Sequence, residues 1–190
     1  MIRIAIIGDI GSGKSYLSRN FGFPVFNADE EVIKLYKKNK IIFKKLNKSL
    51  PKYIKTYPIN KNEISKSILA NKSNLNKIIS IVHPEIKKKL HFFLKKNRNK
   101  KIVILDIPLL LENRINKKND ILIFVDSDKT EILKRIKKRK NFNKKLIKKF
   151  KDIQLSLVYK KKKSNFIIKN DFTKKTIKNS IHKILRKLEI

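Results

Sequence analysis

Five short apolar runs punctuate the chain, at residues 2–7, 23–26, 102–107, 121–125 and 166–168. Apart from Arg3 and Asp106, the runs are continuously apolar instead of alternating, which predicts strands buried on both faces. Helical periodicity fills much of the space between them. A short helix is expected over 14–21, a second over 128–139 with Ile132, Leu133 and Ile136 on one face, and a third over 144–160, where Leu146, Ile147, Phe150, Ile153 and Leu157 recur at helical spacing. Strands alternating with helices predict an α/β fold with a parallel sheet covered on both sides. Residues 30–100 interrupt the alternation. They contain no convincing strand and read as several helices around a loop holding Pro51 and Pro58, hence a helical insert after the second strand. Within it His83-Pro84 reads as a helix break with a packed histidine, and Phe92-Phe93 as core. Gln154 falls near the apolar face of the 144–160 pattern.

At 190 residues the chain suits a single domain carrying an inserted subdomain. It has no cysteine, which excludes disulfides, thiolate metal sites and cysteine nucleophiles, and its three histidines form no metal pattern. No apolar run approaches the roughly 18 residues of a membrane span. A cytoplasmic protein without membrane association is therefore expected.

The formal charge of +35 first suggests nucleic acid. Only seven of the 50 basic residues are arginine, however, and the lysines are dispersed along helical stretches in a chain also crowded with Ile and Asn. Those three residues share A/T-rich codons, so base composition explains the excess on any fold. We expect no specific nucleic-acid partner, although the positive field would attract polyanionic small molecules.

Glycine is as concentrated as lysine is dispersed. Three of the four glycines, Gly8, Gly11 and Gly13, lie within GDIGSGKSYL, directly after the first apolar run. Gly8, Gly13, Lys14 and Ser15 match GxxxxGK followed by Ser or Thr, the phosphate-binding loop, in its required place between a strand and a helix. Glycines allow backbone N–H groups to close around phosphate oxygens. Lys14 would reach the β- and γ-phosphates of a bound nucleotide, and the Ser15 hydroxyl would ligate Mg²⁺. No glycine follows Gly22, so a GTPase switch motif is excluded, and Tyr16 stands where the dinucleotide fingerprint needs its third glycine.

Among 15 acidic residues, those ending apolar runs stand out: Asp29, Asp106, Asp126 and Asp128. The carboxyl ends of parallel strands border the ligand crevice. A carboxylate there could accept a proton from an attacking hydroxyl or help to hold Mg²⁺. Asp29 is read as functional. Asp128 is placed to cap the helix that follows.

As an ordered set, these motifs resemble the dephospho-CoA kinase family. GDIGSGKS resembles the family's opening, Asn27-Ala28-Asp29 its DAD tripeptide, His83-Pro84 its HP, and Pro108-Leu109-Leu110-Leu111-Glu112 its PLLFE element. Arg135 and Arg139 are similar to the arginines around the lid, Gln154 and Lys160 match QxxxxxK, and Ile168-Lys169-Asn170 resembles the IxN near the adenine. The resemblance implies a P-loop kinase fold with a five-stranded parallel sheet, a helical insert over about 30–100 that binds the coenzyme, and a lid over about 139–146. It implies transfer of the ATP γ-phosphate to the ribose 3′-hydroxyl of dephospho-CoA, with Mg²⁺, Asp29 as base, and Lys14 and Arg139 on the phosphates. Gly8, Gly11, Ser12, Gly13, Ser15, Tyr16 and Asn170 complete the implied ATP site; Asp29, Lys61, His83, Pro108, Leu109 and Glu112 form the implied acceptor site. A monomer is expected. The chain departs from the family pattern at Asn27, in place of the first Asp of DAD; at Asp9, where a small residue is usual and a carboxylate is unfavourable unless it points to solvent; at Tyr16 in place of Thr; and at Lys61, near a family arginine. Two other readings stay open: another small-molecule P-loop kinase, such as a nucleoside monophosphate kinase, and a basic nucleic-acid-binding protein with an ATPase site.

Overall fold

The structure, a computed structural model, describes residues 1–139 and 142–189. Of the expected lid, residues 140 and 141 lie outside the described residues. In chain order the elements are β1 (Ile2–Gly8), α1 (Lys14–Asn20), β2 (Val25–Asn27), α2 (Ala28–Lys38), α3 (Lys40–Ser49), α4 (Lys61–Ala70), α5 (Lys72–Lys96), β3 (Ile102–Asp106), β4 (Ile121–Asp126), α6 (Lys129–Lys137), α7 (Lys144–Asp152), α8 (Leu157–Lys163), β5 (Phe166–Lys169) and α9 (Lys174–Lys187). All five expected strands form. They make one parallel sheet in the order β2-β3-β1-β4-β5, with Ala5 paired to Leu105 on one side and to Leu122 on the other.

The chain divides into two compact units. The first comprises Met1–Asn27, Asn97–Phe142 and Ile153–Ile190 and contains the sheet. Every residue of β3 is buried, as are six of the seven in β1, because helices cover both faces. Ile4, Ile6, Ile104, Ile123 and Val125 of the strands pack with Leu17 of α1 and with Ile177, Ile181 and Ile184 of α9. Side chains capping helix starts are local. Asp128 accepts from the Thr130 and Glu131 N–H groups, as its position predicts, and Thr173 caps α9 through the Thr176 N–H.

The second unit comprises Ala28–Lys96 and Asn143–Asp152. Its buried residues include Leu35, Ile42, Leu46, Ile64 and Ile68, together with Leu75, Ile78, Val82, Ile86 and Leu90 along α5. Lys149 of α7 donates to the Ile68 and Leu69 carbonyls at 2.9 and 3.2 Å, satisfying the C-terminal end of α4.

Three expectations about helices are corrected. The 144–160 pattern is two helices, not one: Ser156 accepts the Tyr159 N–H and starts α8 afresh, which leaves Gln154 in the link instead of on a helix face. Apolar periodicity reports which face is buried and cannot tell one helix from two. His83-Pro84 does not break its helix, since Pro84 lies inside the 25-residue α5. A mid-helix proline costs about 3 kcal/mol, whereas each buried aliphatic side chain contributes about 1.5–3 kcal/mol, and five of these lie on the buried stripe of α5. Pro84 itself is exposed, so the lost hydrogen bond falls on the solvent side. Phe92 is 69% exposed and does not belong to the core, because it is two residues past buried Leu90 and thus on the opposite side of α5.

Candidate active site

The loop from Asp9 to Gly13 joins β1 to α1, and it is glycine-rich for two physical reasons. Gly11 and Gly13 have φ of 86° and 93°, a region that side chains resist. Neighbours also approach too closely for a side chain. A Cβ on Gly11 would lie 2.7 Å from the Ile136 side chain of α6, and one on Gly13 would lie 2.5 Å from the Asn170 Nδ2. The Lys14 ammonium donates to the Asp9 carbonyl at 2.6 Å and to the Gly8 carbonyl at 3.3 Å. Ser12 is 1% exposed, and its carbonyl accepts two hydrogen bonds, from Ser127 Oγ at 2.9 Å and Asn170 Nδ2 at 2.8 Å. Asp9 is buried instead of facing solvent; its Oδ1 accepts the Ile10 N–H at 2.6 Å, and that local donor helps to stabilise the charge.

Asn170 is engaged at both ends of its side chain. Its Oδ1 accepts the Phe172 N–H at 2.9 Å while its Nδ2 holds Ser12. The Arg135 guanidinium lies 4.3 Å from the centroid of the Phe172 ring, a cation–π contact beside Gly13. Ser15 is half-buried at the second position of α1, and Tyr16 is exposed. Arg139 is exposed just beyond α6, its carbonyl accepting the Phe142 N–H at 3.0 Å.

The strand ends carry polar pairs. Asn27 Nδ2 donates to Asp106 Oδ2 at 2.7 Å, and Asp106 is 3% exposed. Asp126 pairs with Lys161 at 2.8 Å. After β3 the chain turns through Pro108 and Leu109, the latter at φ 58°, and buries Leu110. These residues form turns that do not leave Glu112 facing solvent. Glu112 is instead largely buried against Lys160 at 2.7 Å, with side-chain exposures of 10% and 4%, and its Oε1 also accepts the Leu155 N–H at 3.0 Å. Lys160 thus differs from the solvated run that follows it.

Asp29, Lys61 and His83 belong to the second unit. Asp29 lies in the first turn of α2 with Glu30 and Glu31, where the helix end favours negative charge. Lys61 is the exposed first residue of α4, behind the N-cap Asn60. His83 is half-buried in α5; burial, reinforced by the Lys87 ammonium, holds its imidazole below the usual value and therefore neutral at pH 7.

The structure brings Gly8, Ser12, Gly13, Lys14 and Asn170 together in the first unit. It adds Ser127 and Phe172, which sequence reasoning missed. A lone serine after a strand carries no pattern, and nothing in the spacing of Phe172 distinguishes it from other aromatics.

The sequence profile of the dephospho-CoA kinase family matches residues 2–176. A dephospho-CoA kinase of Wolbachia pipientis wMel is 33% identical over 192 aligned positions, covering 98% of each chain. A crystal structure of a Thermus thermophilus protein superposes with a TM-score of 0.79 at 23% identity, covering 98% of this chain and 97% of that one. The dephospho-CoA kinase of Campylobacter jejuni superposes with a TM-score of 0.64, also at 23% identity, covering 98% of this chain and 96% of that one. The structural likenesses bear on the fold, whereas the profile and the sequence relative span nearly the whole length, and on these grounds the chain belongs to the dephospho-CoA kinase family.

Proposed function

We propose that the chain transfers the γ-phosphoryl group of ATP to the ribose 3′-hydroxyl of dephospho-CoA, giving coenzyme A and ADP. The observation that carries this reading is the braced loop at 8–15 in a member of this family: glycine backbone in the left-handed region, a lysine at its rim, and a peptide held from two sides.

Such a reaction needs little covalent help from the protein, so its residues act by position and charge. Loop N–H groups and Lys14 bind the β- and γ-phosphates. Asp29 takes the proton from the attacking hydroxyl, and Arg139, with a planar guanidinium suited to phosphate, spreads charge on the transferring group. Lys61, His83, Pro108 and Leu109 contact the acceptor, while Glu112, engaged by Lys160, supports the turn that carries Pro108 and Leu109.

Mg²⁺ suits the donors present. No group of three His, Cys, Asp or Glu residues able to hold a metal occurs among the described residues. The Ser15 hydroxyl and the Asp106 carboxylate offer the one or two hard oxygens that Mg²⁺ takes from protein when phosphates supply others. When bound, the ion neutralises charge on the phosphate oxygens.

The test is ATP turnover with dephospho-CoA beside a panel of nucleosides and nucleoside monophosphates. Stimulation by dephospho-CoA alone is expected. Turnover that responds to another acceptor and ignores dephospho-CoA would overturn the assignment. No helix among the described residues is long and apolar enough to cross a membrane.

A further inference from the structure

The Ser12 carbonyl is held by two side chains that do not belong to the loop. Ser127 follows β4 and Asn170 follows β5, and the two are tied to each other, because the Asn170 N–H donates to the carbonyl of Asp126, the residue before Ser127, at 2.7 Å. The orientation of the Asn170 amide is set by its Oδ1, which accepts the Phe172 N–H and so turns the NH₂ end toward Ser12.

This grip has a consequence one atom pair away. In a trans peptide the carbonyl of one residue and the N–H of the next point in opposite directions. With the Ser12 carbonyl fixed on Ser127 and Asn170, the Gly13 N–H must point away from them. A rotated Ser12–Gly13 peptide would instead present a carbonyl oxygen where that donor now points. Gly13 has no side chain to oppose the rotation, and its φ of 93° lies in a region glycine enters and leaves at little cost. The hold must come from outside the loop.

We propose that Ser127 and Asn170 are positioning residues that lock the Ser12–Gly13 peptide with its N–H toward the phosphates of bound nucleotide, an inference that rests on the ATP-binding reading above. Ser127 acts through its hydroxyl alone and touches no substrate. Asn170 acts through its amide on the same carbonyl.

The experiment measures dissociation constants of ATP and adenosine by calorimetry for the parent chain and for Ser127→Ala, Ser127→Thr and Asn170→Asp, and follows the Gly13 amide proton by NMR during ATP addition. Loss of one hydrogen bond should weaken ATP roughly threefold to tenfold in Ser127→Ala. Adenosine, which carries no phosphate, should bind as it does to the parent, and Ser127→Thr, which keeps the hydroxyl, should restore ATP affinity. The Gly13 amide shift on ATP addition should shrink in Ser127→Ala. Asn170→Asp, which replaces the donor by an acceptor, should weaken ATP further and provides the answer if Ser127→Ala does not fold. ATP affinities within twofold of the parent in both variants would overturn this inference alone, as would equal losses for ATP and adenosine. A parent chain that binds no ATP would overturn both readings.

Discussion

Asn27 and Asp106 stand side by side at the ends of neighbouring strands, paired in register, with the amide Nδ2 2.7 Å from the carboxylate Oδ2. The family pattern that this chain resembles has an aspartate where Asn27 stands. Here the amide donates directly to a buried carboxylate, whereas two carboxylates at that distance would have to share a proton. Asn27→Leu keeps the volume and removes the donor. We expect it to cost about 1.5–3 kcal/mol, the range for a hydrogen bond to a charged group, seen as a lower denaturation midpoint. An unchanged midpoint would mean that other partners of Asp106 suffice.

The base assignment predicts a separation of kinetic constants. Asp29→Asn should lower kcat roughly 10²-fold or more while ATP binding stays close to that of the parent. Near-normal kcat with dephospho-CoA would remove Asp29 from that role.

The Glu112–Lys160 pair should behave as a buried ion pair. Removing one partner leaves an uncompensated charge, so Lys160→Met should destabilise by about 3–5 kcal/mol. Replacing both, as Lys160→Met with Glu112→Leu, should recover much of that loss, although the Leu155 N–H then forfeits its acceptor. A double-mutant cycle by urea denaturation measures the coupling, and additive losses would show that the contact contributes nothing of its own.

His83 predicts a pH effect. Its folded-state value is held below the ordinary one of about 6.5, so the unfolded chain binds the proton more readily. The stability linked to the neutral imidazole is therefore complete above about pH 6.5 and is lost as pH falls through the folded value. His83→Gln should flatten that part of the acid decline, read from denaturation midpoints at a series of pH values. Parallel profiles for parent and variant would exclude the effect.

Much of the fold was legible in the sequence because its signals are local. A strand covered on both faces is apolar along most of its length, so the runs at 102–107 and 121–125 announced β3 and β4. A tight loop with backbone in the left-handed region needs glycine, so Gly8 to Gly13 announced the turn between β1 and α1. Asp128 announced its own helix. Each of these is a constraint between a residue and its immediate chain neighbours, and one sequence suffices to show it.

What only the tertiary structure decided are relationships between residues far apart in the chain. Periodicity over 144–160 could not reveal that the chain starts a new helix at Ser156. Pro84 looked like a break until a buried stripe on both sides of it outweighed the missing hydrogen bond. Nothing local in the sequence shows that Lys160 is buried in an ion pair, since its partner Glu112 lies 48 residues away in sequence. Ser127 carried no pattern at all, yet it reaches a loop carbonyl across 115 residues of sequence. By itself the sequence determined which segments are buried and where the glycine-rich loop turns; the fold decided which distant donors hydrogen-bond to that loop, because a hydrogen bond depends on separation in space and is indifferent to separation along the chain.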